Sequence, residues 1–131
     1  MRIRAIAAAV CAAVTLTVAG WAQEGHPLSG TWHGEYGTGA RKTPVVLLLH
    51  WESRMITGVI NPGPDAIHLK VATLTPGEWA VHLEADGKDQ SGKVVPIVID
   101  GKIEDIGAYN RRITGTWTQG TQKSEFKARR D

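Results

Sequence analysis

The sequence predicts an all-β protein, an antiparallel up-and-down eight-stranded β-barrel preceded by a signal-peptide helix. Three observations predict it. No window sustains apolar residues at helical spacing, whereas apolar–polar alternation recurs between turn signals. Those signals divide residues 29–129 into eight runs joined by connections of hairpin length, which sets each strand antiparallel beside its predecessor. An even number of such strands can close on itself and leave no edge.

The first 22 residues read as an export signal. Arg2 and Arg4 precede an uncharged run from Ala5 to Val18, and Gly20-Trp21-Ala22 supplies small residues at the positions a signal peptidase reads, placing cleavage after Ala22. The run is Ala-rich and short for a membrane anchor, so no stable membrane insertion is expected once it is removed. The expected compartment is the periplasm or the exterior. Cys11 lies inside the signal, so the remaining single domain, 23–131, is free of thiols. Of 15 basic side chains two leave with the signal, so 13 basic face 13 acidic residues. A neutral domain argues against nucleic acid as a partner. Its basic tail, from Arg111 to Arg130, is expected to pair with the acidic stretch Glu84 to Asp105.

The strands follow in order. The first, 29–37, ends at Gly37-Thr38-Gly39. The second and third, 44–52 and 55–61, flank Ser53-Arg54; pairing Trp51 with Ile56 sets Leu49 against Gly58 and Leu47 against Ile60, all on one face. Ser-Arg is poor chemistry for the type I′ turn this register demands. After the turn signal Asn61 to Asp65 comes the fourth strand, 66–74, with Ile67, Leu69 and Val71 on one face. The fifth, 78–86, places Trp79, Val81 and Leu83 on one face; opposing Val71 to Val81 leaves Thr75-Pro76-Gly77 as a three-residue loop and aligns His68 with Glu84 and Lys70 with His82. Asp86 to Gly92 alternates oxygen donors but lacks a distal bidentate Glu, so it reads as a polar hairpin loop rather than a Ca²⁺ site. The sixth strand, 93–104, is long, with a bulge or bend at Asp100-Gly101-Lys102. The seventh and eighth, 111–119 and 123–129, flank Gly120-Thr121.

One motif recurs: Leu28-Ser29-Gly30-Thr31-Trp32, Ile56-Thr57-Gly58-Val59-Ile60 and Ile113-Thr114-Gly115-Thr116-Trp117 each set an inward Gly between two bulky inward residues. Strand interiors avoid Gly, so the repeat implies sharp coiling of the sheet or room for a neighbouring ring.

These residues resemble a family. Gly30-Thr31-Trp32 opening the first strand and a basic residue closing the last are similar to the calycin superfamily of lipocalins, fatty-acid-binding proteins and avidins, with Ser29-Gly30-Thr31-Trp32 and Ile56-Thr57-Gly58 most like avidins. The resemblance implies that Trp32 closes one end of the barrel and that a late Arg covers its ring. Phe126, Ala128 and Arg130 share a face, so Arg130 is the residue expected over Trp32 as a cation–π contact. The domain also resembles small secreted bacterial proteins ending in GTW-x-x-G…F-x-x-x-R, a likeness that carries no activity with it.

Chemistry is scarce. No nucleophile elbow, phosphate-binding Gly loop, HExxH or Cys pair is present. His33, His50, His68 and His82 fall on the outward phase without ligand spacing, so neither a metal nor a cofactor is expected. What remains is aromatic: Trp32, Tyr36, Trp51, Trp79, Trp117 and Phe126 all at inward phase. A barrel of eight strands is just wide enough to be filled by its own side chains or to hold one small ligand. The expectation is a non-catalytic barrel that binds a small, mostly apolar ligand among Trp32, Tyr36, Trp51, Trp79 and Trp117, in its interior or at its mouth. The alternative is a filled structural or protein-interaction module that self-associates through the outer residues Val94, Pro96 and Val98.

Overall fold

A computed structural model describes residues 26–131; the expected signal segment and its cleavage point lie outside the described residues. Eight strands, β1 (Gly30–Thr38), β2 (Arg41–Glu52), β3 (Met55–Ile60), β4 (Ile67–Thr75), β5 (Ala80–Lys88), β6 (Val94–Glu104), β7 (Arg112–Gln119) and β8 (Gln122–Arg130), follow one another round a closed barrel. β1 closes the ring antiparallel to β8, with Trp32 opposite Arg130 and Tyr36 opposite Phe126.

The β2–β3 register is the expected one: Trp51 faces Ile56, Leu49 faces Gly58 and Leu47 faces Ile60. Ser53 and Arg54 both adopt positive φ, 48° and 65°, the left-handed geometry of a type I′ turn. Two side chains that disfavour this conformation, each by about 1–2 kcal/mol, are held in it by the six residue pairs behind them.

The β4–β5 register differs from the expected one. Leu74, not Val71, lies opposite Val81, Ala72 lies opposite Leu83, and the ladder shifts between Leu69 and Val71. The extra residue, Lys70, is a bulge. It reverses the phase of everything after it, so Ile67 and Leu69 face the core before it, Ala72 and Leu74 after it, and Val71 turns to solvent at 36% exposure. The displaced strand lengthens its hairpin to Pro76–Trp79. Trp79 is therefore a turn residue with φ 53°, and its carbonyl accepts the Ile103 N–H at 2.9 Å.

Sixteen buried apolar side chains fill the barrel, and the described residues bury no polar or charged one among them. Strict alternation delivers them: Val45, Leu47 and Leu49 from β2, Val81, Leu83 and Ala85 from β5, Ile97, Ile99 and Ile103 from β6. The recurring glycines make room mostly for backbone rather than for rings. A Cβ on Gly58 would strike the Leu48 carbonyl and come 2.8 Å from the Leu49 side chain; one on Gly115 would strike the Asp100 carbonyl and come 2.5 Å from Gly101 Cα. At Gly30 the neighbour is a side chain, that of Arg130.

The expected pairing of basic tail with acidic stretch is met at one place, where Arg112 reaches Glu104 (3.4 Å) and Asp105 (3.0 Å). Elsewhere the acids have other partners. Asp86 takes Lys70 at 3.2 Å, and Asp89 Oδ1 accepts the N–H groups of Ser91 and Lys93 within its own hairpin loop. The new β4–β5 register sets Thr73, not Lys70, opposite His82. The His82 ring instead spans two carboxylates, Nδ1 at 2.5 Å from Asp100 and Nε2 at 2.8 Å from Glu84. Engaging both nitrogens needs the imidazolium, so the Asp100 and then the Glu84 hydrogen bonds raise the His82 pKa above 6.5. A raised pKa in the folded chain gives stability that is complete below pH 6.5 and is lost as the pH rises through the raised value. Partial exposure keeps the effect under about 1 kcal/mol. Melting temperature followed over roughly pH 6–8 is expected to fall more for the native chain than for His82→Gln; equal slopes would refute the assignment.

Candidate functional site

The strands alternate in direction, so the β2–β3, β4–β5 and β6–β7 turns gather with the start of β1 and the end of β8 at one end of the barrel, and the hairpins β1–β2, β3–β4, β5–β6 and β7–β8 at the other. The aromatic residues picked out by the sequence divide between these ends.

The first end is sealed. Residues 26–28 fold back over it, with the Ser29 N–H on the His26 carbonyl (2.9 Å) and Leu28 fully buried. Trp32 is also fully buried, and its Nε1–H donates to the Leu28 carbonyl at 2.8 Å. Arg111 straps the plug down, donating to the carbonyls of Pro27 (3.0 Å) and Ile106 (2.9 Å). Burial, and then the Arg130 charge, hold the Arg111 guanidinium below its ordinary value. The expected Arg130–Trp32 contact is absent from the sealed end. Arg130 Cα is opposite Trp32, but the guanidinium lies 5.7 Å from the Tyr109 ring centre and donates to the Tyr109 and Ser29 carbonyls. Trp79 packs against the core here from its turn. Trp51 has the inward phase but lies at the end of its strand; it is 43% exposed and stacks on His26, ring centres 4.4 Å apart.

The second end is open. Tyr36 and Trp117 stack with centres 3.9 Å apart and planes 1° from parallel, and Phe126 supports Trp117 from 6.1 Å. Trp117 is buried and donates Nε1–H to Gln119 Oε1 at 3.2 Å, while the half-buried Tyr36 covers it. Around this pair opens a depression of about 450 Å³, lined further by Arg41, Thr43, Gln119, Gln122, Lys123 and Ser124. Its charged lining is cationic, with no carboxylate, histidine or cysteine. An aromatic floor, amide and hydroxyl edges and two cations suit recognition of a flat ring with polar substituents.

Of the five aromatic residues singled out from the sequence, the fold brings Tyr36 and Trp117 together and sends Trp32, Trp51 and Trp79 to the opposite end. The polar lining escaped sequence reading. Arg41 and Thr43 sit where β2 starts earlier than its alternation, and Gln119 and Gln122 flank the Gly120 turn. A polar residue at inward phase beside a turn is the one signal that marks such positions.

The described residues hold no group of three or more His, Cys, Asp or Glu arranged to bind a metal ion. Fold and site define a closed antiparallel eight-stranded barrel with one sealed and one open end. Compared with protein-family models, curated proteins and solved structures, the chain matches none.

Proposed function

We propose that this is an exported, calycin-like, non-catalytic barrel that binds one small ring-bearing molecule at its open end. The Tyr36–Trp117 stack at the floor of a concave, hydrogen-bonding depression carries the reading. The barrel's own side chains occupy the interior, which favours the mouth over the lumen as the site. The ring lies on Tyr36, and Gln119, Gln122, Arg41 and Lys123 read its edge. The calycin-like reading is supported by the closed eight-stranded barrel and by Trp32 buried at its sealed end, opposite Arg130. Titrating tryptophan emission with a panel of small aromatic and saccharide ligands is expected to give a saturable shift that Trp117→Phe abolishes and Trp51→Phe preserves. Tyr36→Ala weakens the affinity about tenfold, since an aromatic pair contributes about 0.5–1.5 kcal/mol beyond area burial. No saturable shift with any member of the panel would overturn the reading.

A second reading, an interaction module, is favoured by the filled core together with the 56% exposure of Val94 on the outer face of β6. Dimerisation at high concentration that Val94→Lys abolishes is its test; a strictly monomeric native chain refutes it.

A further inference from the structure

One seam of the barrel is closed over only part of its length. β3 and β4 share two residue pairs, Val59 with His68 and Ile60 with Ile67, whereas β2–β3 has six and β7–β8 eight. Beyond Val59 and His68 the strands diverge, because the bulge at Lys70 turns β4 away to meet β5 in its shifted register. An open groove of about 520 Å³ lies between the diverging segments.

Its lining is apolar on the floor and cationic at the rim. Trp51, Met55 and Val71, three of the five large hydrophobic side chains that the described residues leave exposed, all line it, at 43%, 63% and 36% exposure. Ile56, Leu74 and Pro76 continue the floor. Single exposed hydrophobics need no explanation, but a contiguous concave group of them marks a binding site. Arg54 and Lys70 are its only charged residues, and no carboxylate lines it. Lys70 is shared with Asp86, whereas Arg54 has no ion pair within 4.0 Å among the described residues. His26 is uncharged at neutral pH, since burial lowers its pKa and its Nδ1 accepts the Leu28 N–H at 3.2 Å.

We propose that this groove binds a free, single-chain anionic amphiphile, its chain along Trp51, Met55 and Val71 and its head group at Arg54. Charge complementarity selects the anionic head, and the concavity of the groove, within the roughly 300–1,000 Å³ usual for one small ligand, selects a single molecule over a membrane surface. The site is separate from the open end, and the two linings share no residue.

The test is calorimetric titration of the whole domain with dodecanoate below its micellar concentration. Saturable one-to-one binding is expected, at least tenfold tighter than that of uncharged dodecyl maltoside. Arg54→Asn removes the charge while keeping a residue that tolerates the left-handed turn, and it should weaken dodecanoate at least tenfold; Met55→Gln should do the same, with both variants melting as native. Tyr36→Ala, which disables the open-end site, should leave dodecanoate unaffected. Absence of binding, equal affinity for the maltoside, insensitivity to both groove variants, or loss in Tyr36→Ala would each overturn the proposal. So would co-sedimentation with phosphatidylglycerol vesicles in the absence of dodecanoate binding, which would assign the patch to a membrane surface.

Discussion

Replacing Trp32 with alanine is expected to lower the unfolding free energy by about 3–5 kcal/mol, the range for emptying a buried aromatic site. Trp32 is the largest of the fully buried side chains, and it shares the core cluster with Leu28 of the plug. The indole does two things at once: its ring fills the sealed end, and its N–H satisfies the Leu28 carbonyl. That bond fixes residues 26–28, on whose Pro27 carbonyl Arg111 closes. Alanine therefore opens a cavity, strands a carbonyl and loosens the strap together. At roughly 4–8 °C per kcal/mol for a domain of this size, the melting temperature falls by about 12–40 °C. Trp32→Phe keeps most of the ring but leaves the carbonyl without its donor, so an intermediate loss of about 1–3 kcal/mol is expected. Circular-dichroism melts and denaturant titrations of the two variants measure both values. A Trp32→Ala loss under about 1 kcal/mol would mean that the end relaxes around the cavity and that the indole is not what holds the plug.

The architecture was legible because hairpin barrels write their register locally. Alternation along the second and third strands, read across a two-residue turn, leaves one register that sets Leu47, Leu49, Ile56 and Ile60 on one face. The same logic misplaces β4 because a bulge is invisible to it. Ile67, Leu69 and Val71 alternate perfectly, yet the inserted Lys70 makes Val71 the first residue of the opposite phase. Nothing in the composition near Lys70 announces an extra residue; only the tertiary choice of Leu74 over Val71 as partner to Val81 does. Phase along a strand also says nothing about height along the barrel. Trp51, Trp32 and Trp117 share the inward phase, but one stands beyond the sealed end, one lies beneath it and one floors the open end. The Arg130–Trp32 contact failed for a related reason. The backbone pairing was right, but strand pairing does not fix where the end of a long side chain goes, and here the guanidinium lies at the Tyr109 ring. The Tyr36–Trp117 stack joins strands that are not hydrogen-bonded neighbours, so it exists only once β8 has closed the ring between them.

Substituting Gly115 with alanine should be as damaging as emptying the Trp32 site, and for the opposite reason. Gly115 lies opposite Gly101 on β6 and Phe126 on β8, at inward phase between Ile113 and Trp117. Its missing Cβ lets the strands coil closely enough for the Asp100 carbonyl and the Gly101 Cα to occupy that space. A flexible side chain could swing aside, but these are backbone atoms held by eight residue pairs between β6 and β7. Relief requires the ladder itself to move, which disturbs Ile99 and Ile103 on one strand and Trp117 on the other, all buried. Overpacking of a core side chain costs about 1–3 kcal/mol; a clash with two fixed backbone atoms belongs at or above the top of that range, about 3 kcal/mol or more. Gly107→Ala is the matched control, since a Cβ there meets nothing within 4 Å and its backbone is not in the left-handed region. Restricting the unfolded chain at such a site is neutral or stabilises by up to about 1 kcal/mol. Gly115→Ala is therefore expected to melt well below the native chain and Gly107→Ala at or slightly above it, the two separated by roughly 12 °C or more. Equal small shifts would show that β6 and β7 part easily, and that the close coiling at Gly101 and Gly115 is not what shapes the barrel.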